Sequence, residues 1–512
     1  MARTIWIATI FFGLLKIGIA LLVPVFGDEA YYVYWGSVFS GGYYDLPPMI
    51  GWWLWPLLHV SAHPLWLRLW NLLVPLLIAF GLYKWLRESA DRTFARRAAL
   101  LYLLWPLPFL AVFSFPDVPL TFFSFFSALL FCRGVRSDPG KSRMEMVASG
   151  ALWGAAFLSK YFAVFLLPAF LIWAWPRSRN RLSGIFFFSL GAAPFLVQHV
   201  LWNSRHCWSN FVFNLVSRQR VEEGTPIQTT IGFLLNLFLV FLPLWASLVW
   251  PSRKVSHPQS SRDADLSSFM GWLVGLPLAI FGVTALLGRS QGVHWVLFLI
   301  PFAVAWAALR MNTEGLLRSV RISAIFSGAI GFGLLLVFAF PLRWMPTKLI
   351  ERHAFDFGML QFPEEFYATL APRVKEAAGI FTESYSRSSV LHHQGMRFGR
   401  GELPQVGVWM SGSRFGRTFD WRVEWPSLEG KTIAFVKPGR IHADFYRPYF
   451  VSHEVSQETS GGANFEILLG QGFRAREFWS ARVRPELELF YSALAGPNCP
   501  IFEFEGGSPV AR

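Results

Sequence analysis

The sequence predicts a polytopic α-helical membrane protein with a soluble α/β module after its last span. Three observations carry that prediction. Hydrophobic residues fill 54% of 512 positions and the mean hydropathy is +0.39, well above the ordinary soluble composition. About eleven apolar runs recur, at 5–26, 64–83, 98–114, 117–133, 146–159, 161–176, 184–201, 231–250, 268–287, 293–309 and 322–341, and runs of about 17–25 such residues can cross a bilayer. Basic residues gather in alternate loops between the runs.

The first run, 5–26, has the length of a signal peptide, but no small-residue cleavage site follows it, so it reads as a retained anchor. Lys16 inside it either snorkels or faces the bundle interior. The runs at 146–159 and 161–176 are short enough to be tilted or partly re-entrant. The basic loops hold Lys84, Arg87, Arg92, Arg96 and Arg97, then Arg133, Arg136, Lys141 and Arg143, then Arg177, Arg179 and Arg181. Arg253 and Lys254 follow, and then Arg310, Arg318 and Arg321. The positive-inside rule puts them, with Arg3, on the cytoplasmic side. The net charge of +14 therefore reports topology and not a nucleic-acid partner.

The odd-numbered connections then face outward: 27–63, Phe115–Pro119, Ser159–Tyr161, Trp202–Thr230 and Gly288–Trp295. An eleventh span delivers the C-terminal part to the same side. From about Pro346 the apolar runs shorten; Gln405–Met410, Lys431–Val436 and Phe465–Leu469 look like strands and Glu364–Tyr385 looks helical. The division is thus a membrane domain over 1–345 and an outer α/β domain over 346–512. Of three cysteines, Cys132 maps to the cytoplasmic side, while Cys207 and Cys499 both map outside, where a disulfide is permitted but not demanded. There is no CxxC and no HExxH, hence no zinc signature.

The polar residues of distinctive type collect on that outer side: Asp28, Glu29, Asp45, Asp117, Lys160, Gln198, His199, Asn203, Arg205, His206, Arg218, Arg220, Arg289 and His294. Such clustering at span ends fits a cavity open to the outer surface. The most informative stretch is GDEAYYVYW, Gly27–Trp35. As the start of a helix it sets Asp28, Tyr31, Tyr32 and Trp35 on one face. A carboxylate there can take a proton from a hydroxyl, and the rings can stack on a sugar or lie along a lipid. The plain alternative is that Asp28 caps the helix.

The stretch GGYYDLPPMIGWW brings Tyr44 and Asp45 to an elbow that Pro47 and Pro48 hold extended. It reads as the other wall of the same site, or as an aromatic belt. Asp117, between two prolines, orients a substrate or merely forms the turn. Lys160, followed by Tyr161, interrupts about thirty apolar residues. It calls for a lipid phosphate as counter-ion, or snorkels. In the loop Gln198–Arg220, the residues Asn203, Arg205, Arg218 and Arg220 can clamp a phosphodiester or bind bulk headgroups. His294 beside Trp295 is a weaker candidate.

Taken together, GDEAYYVYW, GYYDLPPMIGW, SFPDVPLTFF, LSKYFAVFLLP, WNSRHCW and VHW, in that order over about residues 20–300, resemble the bacterial branch of glycosyltransferase family 39. These are relatives of the dolichyl-phosphate-mannose protein mannosyltransferases in the GT-C superfamily, which also holds aminoarabinose transferases acting on lipid A. ESYSRSS, GKTIAFVKP and YRPYF look like the outer domain of such proteins. The resemblance implies a multi-pass enzyme of the bacterial inner membrane. Such an enzyme moves a sugar, with inversion, from a polyprenyl-phosphate donor to an envelope acceptor at the periplasmic face: lipid A, another glycan, a lipid or a protein. It implies Asp28 as base and Glu29 as its support or a contact to the acceptor, with Lys160 and the arginines after the seventh span meeting the leaving phosphate. A divalent ion shared by Asp28, Glu29 and Asp117 is a further option. One departure is Leu46, where relatives commonly carry His or Lys before the Pro-Pro pair. The rival readings are a flippase for a lipid-linked sugar, which tends to show repeats and midplane polar sites not found here, and a non-catalytic envelope scaffold.

Overall fold

The computed structural model describes residues 2–88, 91–177, 181–217, 224–249, 261–339, 355–356, 358–399, 404–409, 417–460, 463–491 and 499–504. The chain divides into two compact units. One comprises Met1–Ala20, Arg68–Val200 and Val221–Leu335; the other comprises Leu21–Leu67, Leu201–Arg220 and Leu336–Arg512.

The described secondary structure of the first unit is helical. Along the chain, five described helices are long and apolar enough to cross a membrane: Pro64–Leu86, Asp117–Arg136, Arg181–Arg205, Ala264–Leu286 and Thr313–Phe338. Thr9–Leu22 with Gly27–Ser37 makes a sixth if that bent pair counts as one span. Other apolar runs fall on helices that are shorter or broken. Arg92–Leu104 gives way to Pro106–Leu110, Pro226–Val240 to Leu242–Val249, and a tight turn at Val293–Leu299 to Ile300–Ala308. Prolines just inside the second pieces explain several breaks, because proline lacks the N–H that would continue the ladder.

Asp117–Arg136 and Pro139–Ser159 form a hairpin in which Ser127 Oγ donates to the Ser149 carbonyl and Ser149 Oγ to the Ser127 carbonyl, each at 2.9 Å. Pro139–Ser159 also meets Arg181–Arg205 backbone to backbone. A Cβ on Gly150 would run into the Phe188 carbonyl, and one on Gly191 into the Val147 carbonyl. Small residues permit such approach between membrane helices. Lys16 faces protein, its Nζ donating to the Pro108 carbonyl at 2.9 Å. Arg68 is fully buried, donating to the Ala20 carbonyl at 3.0 Å with its guanidinium 5.0 Å from the Phe113 ring centre.

The second unit holds a five-stranded sheet: β1 Gly379–Thr382, β2 Gln405–Val408, β3 Ile433–Pro438, β4 Ser452–Ser460 and β5 Ala463–Gln471. Their order is β2-β1-β3-β5-β4, with β1 parallel to β2 and β3, and antiparallel pairing from β3 to β4. The three strands expected from the sequence are present. The expected helix over Glu364–Tyr385 is not continuous: it ends at Arg373, and Gly379–Thr382 becomes β1. All four residues of β1 are buried and pair with β2, and three of them pair with β3 as well, so tertiary pairing overrides the helical pattern around them. Ser384 then accepts from the Arg387 N–H at 3.4 Å and caps the helix Tyr385–Phe398. The helix Gly27–Ser37 packs against that helix and against Met49–Leu58.

Cys207 and Cys499 form a disulfide, with Cα atoms 5.8 Å apart and 292 residues between them in sequence. Cys207 and Trp208 both take left-handed backbone angles there (φ 52° and 54°). Cys132 is a free, buried thiol. Denatured without reductant, the chain should therefore titrate one thiol, and three after reduction. Cys207→Ser should lower stability by about 2–4 kcal/mol in thermal unfolding. Gly150→Val should also lower the unfolding temperature in detergent, at a cost of about 1–3 kcal/mol for forcing two backbones apart.

Candidate functional site

Asp28 and Glu29 open the helix Gly27–Ser37, and neighbouring positions on a helix point in different directions. Glu29 is fully buried, whereas Asp28 is exposed. The helix is capped at Phe26 without a side-chain bond. Asp28 is therefore not the N-cap. Its Oδ1 instead accepts the Tyr385 hydroxyl at 2.8 Å. Burial pushes the Tyr385 phenol well above its ordinary pKa, so it stays a donor across the physiological range. A hydrogen bond of this kind fixes one carboxylate oxygen and leaves the other free to accept.

Asp45 is buried and lies in the same unit. Its Oδ2 pairs with Arg417 Nη1 at 2.9 Å, its Oδ1 lies 3.1 Å from the Tyr31 hydroxyl, and its carbonyl accepts from Asn214 Nδ2 at 2.9 Å. Tyr31 Oη also lies 2.8 Å from Thr418 Oγ1 and accepts from the Thr418 N–H at 2.9 Å. Burial raises the Asp45 carboxyl above the usual range, and the Arg417 guanidinium opposes that rise. Burial alone would lower the Arg417 pKa, but Asp45, Tyr385, Tyr31 and Asp28 together outweigh it and hold the guanidinium charged. The Arg417 guanidinium sits 3.8 Å from the Tyr385 ring centre, a close cation–π contact. Arg417 thus links Asp45 to the phenol that holds Asp28. Its backbone is left-handed (φ 50°), uncommon for a residue with a side chain. Its buried Nε has no hydrogen-bond partner among the described residues.

The aromatic residues expected to line a substrate are packed on one another. Tyr31 and Trp35 are fully buried, and Tyr32 and Tyr44 nearly so. Ring centres lie 4.8 Å apart for Tyr31–Trp35 and 5.1 Å for Tyr32–Trp35, and Tyr34 stacks on Phe419 at 4.3 Å. Tyr385 and Arg417 come after β1 and β2, beyond the carboxyl ends of parallel strands. Open α/β sheets commonly bind ligands at that edge. Neither residue was singled out in the sequence. ESYSRSS carries Tyr385, but nothing local marks Arg417 among the glycines, serines and arginines around it.

In the first unit, Lys160 Nζ and Asp117 Oδ1 form a buried ion pair at 2.9 Å. Lys160 therefore does not snorkel. It occupies an extended break between Pro139–Ser159 and the turn Tyr161–Leu166, with Nζ 4.8 Å from the Phe162 ring centre. The Tyr161 hydroxyl lies 2.7 Å from His199 Nε2. Among the remaining candidates, Asn203 is buried and Arg205 and His294 are exposed. Arg218 and Arg220 lie outside the described residues. Among the described residues no group of three or more His, Cys, Asp and Glu side chains could hold a metal ion.

A buried pair that loses one partner leaves an uncompensated charge. Asp117→Asn should thus lose about 3–5 kcal/mol of stability in thermal or denaturant unfolding. Adding Lys160→Met should recover most of the loss.

Residues 45–202 match the family model described as dolichyl-phosphate-mannose-protein mannosyltransferase. A lipid A galacturonosyltransferase, RgtD, from Rhizobium johnstonii is 28% identical over 293 residues, which is 54% of this chain and 61% of that relative, so the match spans less than two thirds of its length. The crystal structure of ArnT from Cupriavidus metallidurans in the apo state superposes with a TM-score of 0.59 at 14% identity, covering 97% of this chain and 100% of that one. The same protein bound to undecaprenyl phosphate gives a TM-score of 0.55 at 15% identity, covering 92% and 98%. Over residues 45–202 the chain is thus similar to the dolichyl-phosphate-mannose-protein mannosyltransferase family, and it shares the fold of ArnT.

Proposed function

We propose that this chain is a membrane glycosyltransferase that moves a sugar from a polyprenyl-phosphate donor to an envelope acceptor, with lipid A favoured by the galacturonosyltransferase relative. The observation that carries the reading is Asp28. It is an exposed carboxylate held by a protonated phenol and backed, through Arg417, by a second acid. In the proposed step the Asp28 carboxylate takes the proton from the acceptor hydroxyl. The acceptor oxygen then bonds to the anomeric carbon from the face opposite the phosphate. The bond from that carbon to the phosphate oxygen breaks, and polyprenyl phosphate leaves with the electron pair. Attack from the opposite face inverts the anomeric centre.

Glu29, being buried, supports the geometry of this helix and does not exchange the proton. Tyr31, Tyr32, Trp35 and Tyr44 build the wall that holds Asp28 and Asp45. Leu46 supplies no charge beside the Pro-Pro elbow, and Arg417, paired with the adjacent Asp45, brings a guanidinium there instead. Its unpartnered Nε is a donor for an anionic oxygen. The phosphate-binding role that the resemblance implies for Lys160, Arg205, Arg218 and Arg220, and the binding roles read from the sequence for Asp117, Tyr161, Asn203 and His294, carry over as part of this proposal. The eleven-span topology, the inner-membrane location and the periplasmic placement of residues 346–512 belong to it as well. The Cys207–Cys499 disulfide supports that side, because disulfides persist in oxidising compartments.

Purified protein in detergent, given labelled polyprenyl-phosphate sugar and acceptor, should release free polyprenyl phosphate. A flippase would release none. Asp28→Asn should insert and fold normally yet lose about 10²–10⁴-fold in transfer. Normal transfer by that variant would remove Asp28 as the base. Arg417→Ala should lower transfer more than Arg417→Lys, because lysine keeps the charge and loses only the planar fork.

A further inference from the structure

The arginine-rich end of the first unit is hollow. Two cavities meet there. One, of about 440 Å³, is apolar and runs between helices lined by Phe131, Trp153, Phe170, Leu171, Phe188 and Leu196. The other, of about 590 Å³, is lined by Arg136, Arg143 and Arg177 together with Ser142, Asp138 and Asp265. Val135, Met146 and Gly184 belong to both walls, so the apolar arm opens into the charged mouth. Both volumes lie in the range of small-molecule sites, roughly 300–1,000 Å³.

The charges at the mouth do not cancel. The Asp265 carboxylate is shared by Arg136 and Arg177, so one negative charge answers two positive ones. Arg143 and Arg181, the latter on the rim of the apolar arm, form no ion pair with a described carboxylate. Their guanidinium groups lie over the rings of Phe187 and Trp175, at 5.6 and 5.0 Å. Asp138 is the other acid in the wall. The mouth thus keeps an excess of positive charge beside an apolar channel. A soluble anion would leave the channel unused, and a neutral lipid would leave the arginines unanswered.

We propose that this is a binding site for one anionic phospholipid of the cytoplasmic leaflet, with an acyl chain in the apolar arm and the phosphate among the arginines. Basic pockets between membrane helices recognise such head groups. The site is separate from the Asp117–Lys160 pair. Asp117 opens and Arg136 closes the same 20-residue helix, so they stand about 30 Å apart along it. The proposal does not depend on sugar transfer.

Native mass spectrometry of the full chain, with equimolar phosphatidylglycerol and phosphatidylcholine added in detergent, tests it. Phosphatidylglycerol adducts should exceed phosphatidylcholine adducts at least fivefold. Arg143→Ala combined with Arg181→Ala should remove most of that excess, while Lys at both positions should keep it. Ala193→Phe, which fills the apolar arm and leaves the arginines in place, should weaken both adducts. Equal retention of the two lipids by the wild-type chain overturns the proposal whatever the variants do. So does an alanine double variant that folds and keeps the same preference.

Discussion

A carboxylate cannot stay charged inside a protein unless something answers it, and the contact between Asp45 and Arg417 meets that requirement in the second unit. It joins residues 372 positions apart in sequence and fixes three other groups in doing so. Tyr31 turns its hydroxyl toward Asp45 and Thr418, Asn214 holds the Asp45 carbonyl, and Tyr385 lies under the guanidinium. Arg417 accepts an unfavourable backbone conformation to reach this position. Strain of that sort, of order 1–3 kcal/mol, survives where the surroundings over-determine it.

The two acids that open the Gly27–Ser37 helix show how burial divides roles that sequence adjacency leaves equal. Only the exposed one can meet a hydroxyl from outside, and a phenol from the α/β part of its unit grips it. The first unit handles its own intramembrane charges in the same manner. Lys160 is neutralised by Asp117, and Lys16 and Arg68 donate to backbone carbonyls, so none stands bare against hydrocarbon.

Helix placement was readable because long apolar runs have few alternatives to a helix in lipid. Asp28 was readable because an acid beside aromatic rings at a span mouth is unusual, and Lys160 because it breaks an apolar stretch. The strands at Gln405, Ile433 and Ala463 announced themselves by short β-branched and aromatic runs. The strand at Gly379 did not, since its four residues are strand only by virtue of neighbours on both sides. The partners of Asp45 were hidden for a related reason. Arg417 is one arginine among several in a glycine- and serine-rich stretch, and its meaning comes from a contact that no local pattern encodes. Arg218 and Arg220, prominent in the sequence, fall outside the described residues.

The cystine linking residues 207 and 499 also bears on biosynthesis. At a translation rate of about 5–20 residues per second, its first sulfur leaves the ribosome roughly 15–60 s before its partner. During that interval the nascent chain carries a thiol that must be shielded from wrong partners, and Cys132 is the only competitor of its own. Closure is then a late stitch, made only after residue 499 has been synthesised. A chain truncated before Cys499 could never be locked.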